Sequence, residues 1–421
     1  MNGPMVRRLR LPLVMVALAA FTGYFVNHVN INTVDWTWEQ EHLFGSIAPV
    51  GIDFRNGLYR PAEALLHGRN PYTDVGLWYP PFTVILAMPF QLLDANRAYL
   101  VQVWLLVGMN LATLWLALGV SKEVFAEPGA AAGVLDHVLT FPLFCVIAGW
   151  LVTSYGFLFS LERGNFDIYT QLAAIAGLWL IVRRPNWLWP QVVCFSVAAN
   201  LKVYPAILLV LVVWKHGWKS LLPLAVVNIA LLLSLGPANA GHFLRTLIGS
   251  FGFPYLWQGN HSAASFGYMV NDYLTRRGLG SVPTVVFYLL PIGTWVFACM
   301  YLVRRGFSSA GAAWLFMFSV PLMNLIPATS HDYKLVLLGA PLAMLLFLLS
   351  LEYGWSGSWT RALQIAAAAA LAAVLALSHA RLPVELGNKY PFVLALQMVL
   401  LWALLTPSSA RPRDALLLNG S

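Results

Sequence analysis

The sequence predicts an all-α membrane protein: a polytopic bundle of about twelve helices that crosses the bilayer repeatedly. Three observations predict it. Of the 421 residues, 59% are hydrophobic and only 10% charged, where a soluble domain carries about a quarter charged residues. Apolar runs recur from Leu11 toward the C-terminus, many near the length of about 20 residues that a helix needs to cross the hydrocarbon layer. The runs are continuous rather than alternating, which favours helices over a lipid-facing barrel.

The formal charge of +8 does not point to nucleic acid. The Lys and Arg residues sit singly or in pairs at the ends of apolar runs, as topology signals do. No aromatic-interleaved basic tract is present, so no nucleic-acid partner is expected. Cys145, Cys194 and Cys299 each lie inside an apolar run and read as small buried core residues. Their spacing suggests neither a metal site nor a disulfide framework. Arg7, Arg8 and Arg10 precede an apolar run from Leu11 to Val26. An uncleaved first crossing is expected there rather than a signal peptide. The small residues Ala17–Ala20 lie within the run, and further runs follow.

Crossings are expected at approximately 10–27, 98–119, 139–160, 166–183, 187–201, 203–214, 220–235, 284–303, 309–327, 333–350, 361–379 and 391–406. The segments 187–201 and 203–214 are short and could form a hairpin that does not cross fully. The chain reads as one integral membrane domain over 1–421, with a catalytic core over 10–350 and C-terminal crossings over 351–421. The N-terminal arginines place that end in the cytoplasm. Alternation then puts Arg183/Arg184, Lys215/Lys219, Arg304/Arg305, Arg361 and Arg411/Arg413 on the same side, so both termini are cytoplasmic.

Two external segments are long, about 28–97 and 236–283. Loops beyond ~12–15 residues are usually functional or disordered, and the richness of these two in Trp, Tyr, Phe and His argues against disorder. Within the first, Asp53 to His67 reads as an amphipathic helix with Phe54, Leu58, Ala62, Leu65 and Leu66 on one side and Gly68 as its stop. Phe82–Leu93 is apolar but too short to cross comfortably, and reads as a helix lying in the outer interface.

Charges beside hydrocarbon are costly, so the polar groups at the outer ends of crossings mark the candidate site. They are Asp53, Arg55, Glu63, His67 and Asp74; Glu162, Arg163, Asn165 and Asp167; Lys202 and Tyr204; His261, Asn271, Asp272, Arg276 and Arg277; and His331, Asp332 and Lys334. A carboxylate there can take the proton of an attacking hydroxyl. Cations can stabilise charge building on a departing phosphate.

The stretch DFRNGLYRPAEALLHGRNPY (53–72), followed by LWYPPF (77–82), resembles the first-loop signature of the glycosyltransferases of family 87. These use polyprenyl-phosphate sugars, and the family includes bacterial polyprenol-phosphate-mannose-dependent mannosyltransferases. RGNFDIYTQLAAIAGLWLIVRR (163–184), SVAANLKVYPAILLVLVVWKHGWKS (196–220) and PATSHDYKLVLLGAP (327–341) continue the pattern, so the resemblance covers roughly 45–350. The turn at Arg163–Asp167 lacks the glutamine usual in the family. The resemblance implies a GT-C membrane fold and an inverting transfer of a sugar, with mannose expected, from a polyprenyl-phosphate donor. The acceptor would be a glycolipid or lipid-linked glycan at the outer face of the cytoplasmic membrane.

On that resemblance Asp53 is the expected catalytic base, although Asp at a helix start is also a common N-cap. Glu63 and Asp74 are reserve carboxylates; Glu63 could instead pair with Arg60 or His67. His331 is expected to bind the donor phosphate or orient the base. Lys202 is a candidate phosphate ligand, or a side chain that snorkels to the head groups. Tyr59 and Tyr72 are candidate sugar contacts, or membrane-belt aromatics. Asn165, His261 and Arg276 complete the substrate-binding candidates. No metal is assigned, although Asp167, Asn165 and Asp332 are potential cation ligands. Membrane lipids are the expected surroundings. The rival classes are a lipid-carrier flippase or transporter, which predicts paired half-repeats that the sequence does not display, and a noncatalytic scaffold.

Overall fold

Apolar helices dominate the computed structural model, which describes residues 50–125, 147–150, 153–250, 256–257, 259–356, 358–377 and 388–406. The expected crossing at 10–27, the start of the first loop, Cys145, and Arg411/Arg413 lie outside the described residues. Five helical stretches are long and apolar enough to cross a membrane: Ala95–Phe125, Tyr204–Leu232, Val285–Arg304, Asp332–Tyr353 and Trp359–Ala376. A bent pair adds a sixth. The protein is therefore an all-helical, polytopic membrane protein.

The first loop folds as a helical unit. α1 (Ile52–Phe54) runs through a π-helical turn (Arg55–Tyr59) into α2 (Arg60–Leu66). Pro61 follows directly on the π-helical turn, in the first turn of α2, and Gly68 (φ 69) follows the helix end. Phe54, Leu58 and Ala62 are buried as expected, but Leu66 is 56% exposed. Four-residue steps drift about 40° each against the 3.6-residue turn, so Leu66 has rotated off the buried face, and Ala64 is buried instead. α3 (Phe82–Ala87) continues as a 3₁₀ turn (Met88–Leu92). Tyr59 Oη donates to the Leu93 carbonyl at 3.0 Å and Gln91 Nε2 to the Tyr59 carbonyl at 2.8 Å, which ties the two halves of the loop together.

After α4 (Ala95–Phe125) the described chain resumes at residue 147. Two straight crossings were expected at 139–160 and 166–183. The structure has instead a nine-residue α5 (Tyr155–Arg163) that meets α6 (Asp167–Arg183) at 118°. Part of 139–160 lies outside the described residues. The bend is built by Gly164 at φ 65. Gly164 N–H reaches the Leu161 carbonyl and Asn165 N–H the Ser160 carbonyl, both at 2.9 Å, the pair of bonds that closes a helix with a left-handed residue. Tyr99 Oη donates to the Leu161 carbonyl (2.7 Å) and Gly51 N–H to the Glu162 carbonyl (2.6 Å), so α4 and the first loop both dock on this bend.

α7 (Leu188–Leu201) ends beside Lys202. The chain then runs through a 3₁₀ turn (Tyr204–Leu208), α8 (Leu209–His216), a second 3₁₀ turn (Gly217–Ser220) and α9 (Leu221–Leu232). Although apolar throughout, Tyr204–Leu232 doubles back. His216 meets Gln191, near the start of α7, at 2.8 Å, whereas Asn228 bonds Ser196 and Asn200 farther along it. The direction reverses at Gly217 (φ 64). Gln191 also donates to the Arg184 carbonyl, and Lys215 lies over the Phe307 ring, so Arg184, Lys215 and the Arg304–Phe307 corner share one end of the bundle. Lys202 lies at the other.

The second long segment holds α10 (Pro237–Ser250) and α11 (Ala263–Arg276). α12 (Val285–Arg304) follows, with many exposed apolar side chains. In α13 (Ser309–Leu325) every residue from Gly311 to Leu325 is buried, so it is the central helix. A 3₁₀ stretch (Asp332–Leu338) leads into α14 (Gly339–Ser356), and α15 (Trp359–Ala376) and α16 (Tyr390–Leu405) complete the bundle.

A side chain at Gly164 would pay twice. The left-handed backbone costs a residue with Cβ about 1–2 kcal/mol, and the added Cβ would stand 2.6 Å from Phe54 Cβ and 3.0 Å from the Tyr99 ring. Gly164→Ala is expected to lower the thermal midpoint in detergent clearly more than Gly68→Ala, which has the same φ strain but nothing within 4 Å.

Candidate active site

The bend between α5 and α6 gathers the charged groups. Asp53, on α1, reaches the far side of it: Arg163 Nη2 lies 2.5 Å from Asp53 Oδ1, and Asn165 Nδ2 donates to Oδ2 at 2.9 Å. The N-cap of α1 is Gly51, with no side-chain capping bond, so Asp53 does not cap its own helix. Its side chain is 11% exposed. Burial alone would raise the Asp53 carboxyl, but the charge and hydrogen bond of Arg163, the Asn165 amide and the charge of Lys202 outweigh it and hold the carboxyl below the usual carboxylate value.

Asn165 works in two directions. While its amide donates to Asp53, its Oδ1 accepts from the N–H of Asp167, the first residue of α6, at 3.0 Å. Asp167 is fully buried; its Oδ1 takes the Tyr204 hydroxyl at 2.7 Å and Lys202 Nζ at 3.2 Å. The Lys202 ammonium is also packed between two rings, 4.0 Å from the Tyr79 centroid and 4.3 Å from that of Phe166. Burial disfavours the charge on Lys202, but Asp167, Tyr79 and Asp53 more than restore it, so it stays protonated. The ion pair Lys202–Asp167 is thus enclosed by protein, and removing one partner of such a pair costs about 3–5 kcal/mol.

His331 comes from the segment just before the 3₁₀ stretch Asp332–Leu338. Residues 259–262 are zipped to 328–332: His261 N–H bonds the Ser330 carbonyl (2.8 Å) and Asp332 N–H the Gly259 carbonyl (2.9 Å). Trp257 Nε1–H donates to His331 Nδ1 at 2.8 Å. An indole nitrogen only donates, so Nδ1 is unprotonated and the neutral ring carries its hydrogen on Nε2. Burial and the nearby charges of Arg163 and Lys334 push the ring down to about 3. His331 is therefore a neutral hydrogen-bond donor, not a proton acceptor, at physiological pH. Lys334 Nζ bonds the Thr329 carbonyl and Ser330 Oγ and lies 4.8 Å from the Tyr204 ring centroid.

Of the residues singled out from sequence, Asp53, Asn165, Lys202 and His331 come together. Tyr72 supports them indirectly: it is buried, and its hydroxyl donates to the Tyr79 carbonyl at 2.8 Å, fixing the segment that carries Tyr79. The Tyr59 phenol is spent on the Leu93 carbonyl. Glu63 meets His67 only through its backbone carbonyl, 2.8 Å from Nδ1. Asp74 accepts Asn70 N–H and the Thr73 hydroxyl at the surface, as a turn former. His261 is fully buried, its nitrogens against Asp332 (3.1 Å) and Asn324 (3.3 Å), where it fastens two elements together. Arg276 is 77% exposed and pairs with Asp272 on its own helix. Sequence reasoning placed Arg163, Asp167 and Tyr204 among the outer polar groups, with Asp167 only as a potential cation ligand, and did not single out Tyr79. The signal was the pattern Arg163-x-Asn165-x-Asp167 across a glycine stop, together with Lys202 two residues before Tyr204.

The description "Glycosyltransferase family 87" matches residues 77–327. The chain belongs to glycosyltransferase family 87. The match takes in Tyr79, the whole bend and Lys202, and stops short of Asp53 and His331 at its two ends. No curated protein matches the chain. The protein is thus a membrane glycosyltransferase whose charged cluster lies within the family's matched region, flanked by an acid and an imidazole from outside it.

The low His331 value has a consequence for stability. Between about pH 6.5 and 3 the unfolded chain takes a proton that folded His331 refuses, so stability falls as pH falls through that window. His331→Gln is expected to flatten this part of the dependence of the thermal midpoint on pH; an unchanged slope would mean that the ring titrates normally in the fold.

Proposed function

We propose that this glycosyltransferase is an inverting enzyme that moves one sugar, mannose, from a polyprenyl monophosphate to a glycolipid or lipid-linked glycan. The observation that carries the reading is Asp53. It is an ionised carboxylate at the end of a loop helix, held by Arg163 and Asn165 beside Lys202 and His331. Asp53 accepts the proton of the acceptor hydroxyl as that oxygen attacks the anomeric carbon. Charge spreads onto the sugar ring, as in glycoside chemistry generally, and the phosphate departs with the bonding electrons. His331 Nε2–H donates to a phosphate oxygen, and Lys202 adds positive field from within its aromatic cage. Asn165 and Asp167 keep the bend in register. Glu63, Tyr59, His261 and Arg276 act, on this reading, through the loop and bundle that surround the site.

We read the architecture as GT-C, with about twelve crossings and both termini in the cytoplasm. Support comes from the bundle's polarity: Arg184 and Lys215 lie at the end opposite Lys202 and the acid–cation cluster. The cluster then faces the outer leaflet, where lipid-linked sugars and glycolipids meet.

Asp53→Asn keeps the shape of the side chain, exchanges one acceptor oxygen for an NH₂ donor, and removes the base. Transfer from purified lipid donor is expected to fall by about 10²–10⁴-fold, and cells carrying this variant should accumulate lipid-linked glycan one hexose short by mass spectrometry. Full activity in a normally inserted Asp53→Asn protein would refute the reading.

A further inference from the structure

Three cationic side chains surround the site, and they are held differently. Lys202 is sequestered: its side chain is 6% exposed, bonded to Asp167 and packed between Tyr79 and Phe166. Lys334 is bonded to Thr329 and Ser330. Arg163 is the most exposed of the three, at 19%. It ends α5 directly before the Gly164 bend, and its guanidinium holds Asp53 through Nη2. Its Nε is buried and makes no hydrogen bond within the described residues. Arg163 is close enough to His331 for its charge to act on that ring. The guanidinium thus bonds the proposed base and acts on the imidazole proposed to contact the phosphate, with one N–H unbonded among the described residues.

The direction of charge flow gives this position a meaning. A polyprenyl-phosphate sugar is a phosphodiester with one negative charge. During transfer the acceptor O–H proton passes to the Asp53 carboxylate, and the acceptor oxygen bonds the anomeric carbon. The anomeric carbon–oxygen bond to phosphate breaks, and its electron pair stays on the phosphate. Asp53 therefore loses the charge that the phosphate gains. We propose that Arg163 is the residue that follows this charge: it pairs with Asp53 in the resting site and transfers its guanidinium fork to the leaving phosphate as Asp53 takes up the proton. A planar fork matches a phosphate in a way an ammonium does not, and an interaction that strengthens only as the bond breaks accelerates the chemical step. The swap also explains why a base should be paired so tightly before substrate arrives: the pairing keeps Asp53 ionised within a mostly enclosed site, and the developing phosphate charge releases it.

The proposal rests on the reading of Asp53 as the base, and its test uses binding alone. The probe is a polyprenyl monophosphate, the leaving group itself, titrated into the purified full-length protein in detergent. Asp53→Asn imitates the protonated acid and removes the charge that holds Arg163, so it should bind the probe about tenfold more tightly than the wild type. In an Arg163→Gln background the Asp53→Asn change should produce no tightening. Arg163→Lys, which keeps a charge but not the fork, should bring the tightening down to about threefold and serves in place of Arg163→Gln if that variant does not fold. Unchanged or weaker binding in Asp53→Asn would overturn the proposal, as would equal tightening with and without Arg163. If instead Asp53→Asn retains full transfer activity while the binding cycle holds, the base assignment fails and the phosphate contact of Arg163 stands.

Discussion

The site depends on one contact across the chain: Asp53, from the first loop, laid against the turn that Arg163 and Asn165 form 110 and 112 positions later. Everything around it serves to hold two segments together that have no local reason to meet. Gly164 makes the turn sharp enough for the two side chains to face the loop. Gly51 N–H and the Tyr99 hydroxyl satisfy the Glu162 carbonyl at the end of α5, and Tyr99 adds a second bond to that of Leu161. Phe54, one residue from Asp53, packs on Tyr99 and Phe90 and so sets the depth at which the carboxylate sits. A loop anchored by its own apolar face can be catalytic without being mobile.

Charge placed near hydrocarbon needs a partner, and the two carboxylates solve this differently. Asp167 is permanently neutralised by Lys202 and Tyr204, with the rings of Tyr79 and Phe166 closing over the ammonium. That pair is scaffold: it braces the start of α6 against the loop and against the 3₁₀ turn after α7. Asp53 is paired through a longer and less enclosed side chain. The same physics therefore yields one enclosed ion pair and one more exposed one, side by side. His331 adds a donor without adding charge, because burial and the charges of Arg163 and Lys334 keep its ring neutral while the Trp257 indole takes Nδ1.

The sequence made some of this legible. Amphipathic spacing in the first loop revealed the helix that carries Asp53, and apolar runs revealed a polytopic bundle. Polar residues at run ends marked the stretch from Glu162 to Asp167, as well as Lys202 and His331. What could not be read was pairing. Nothing local says that Arg163 meets Asp53 while Lys202 turns to Asp167, because both cations could have served either acid. The 118° bend was also missed: Gly164 and Asn165 can end a helix, but how sharply the next one departs is set by packing on Phe54 and Tyr99. His261 and Arg276 were chosen as polar residues in an outer loop. Packing buried one and left the other at the surface, and composition alone cannot separate those fates.

The most direct measurement is a cryo-EM structure of the Asp53→Asn protein with an intact polyprenyl-phosphate sugar. The sugar's anomeric carbon should face residue 53 with room for one acceptor oxygen between them, and the phosphate should lie against His331 and the α5–α6 bend. A donor whose phosphate settles away from that bend, or whose sugar points away from the loop helix, would contradict the assignment of this cluster as the active site.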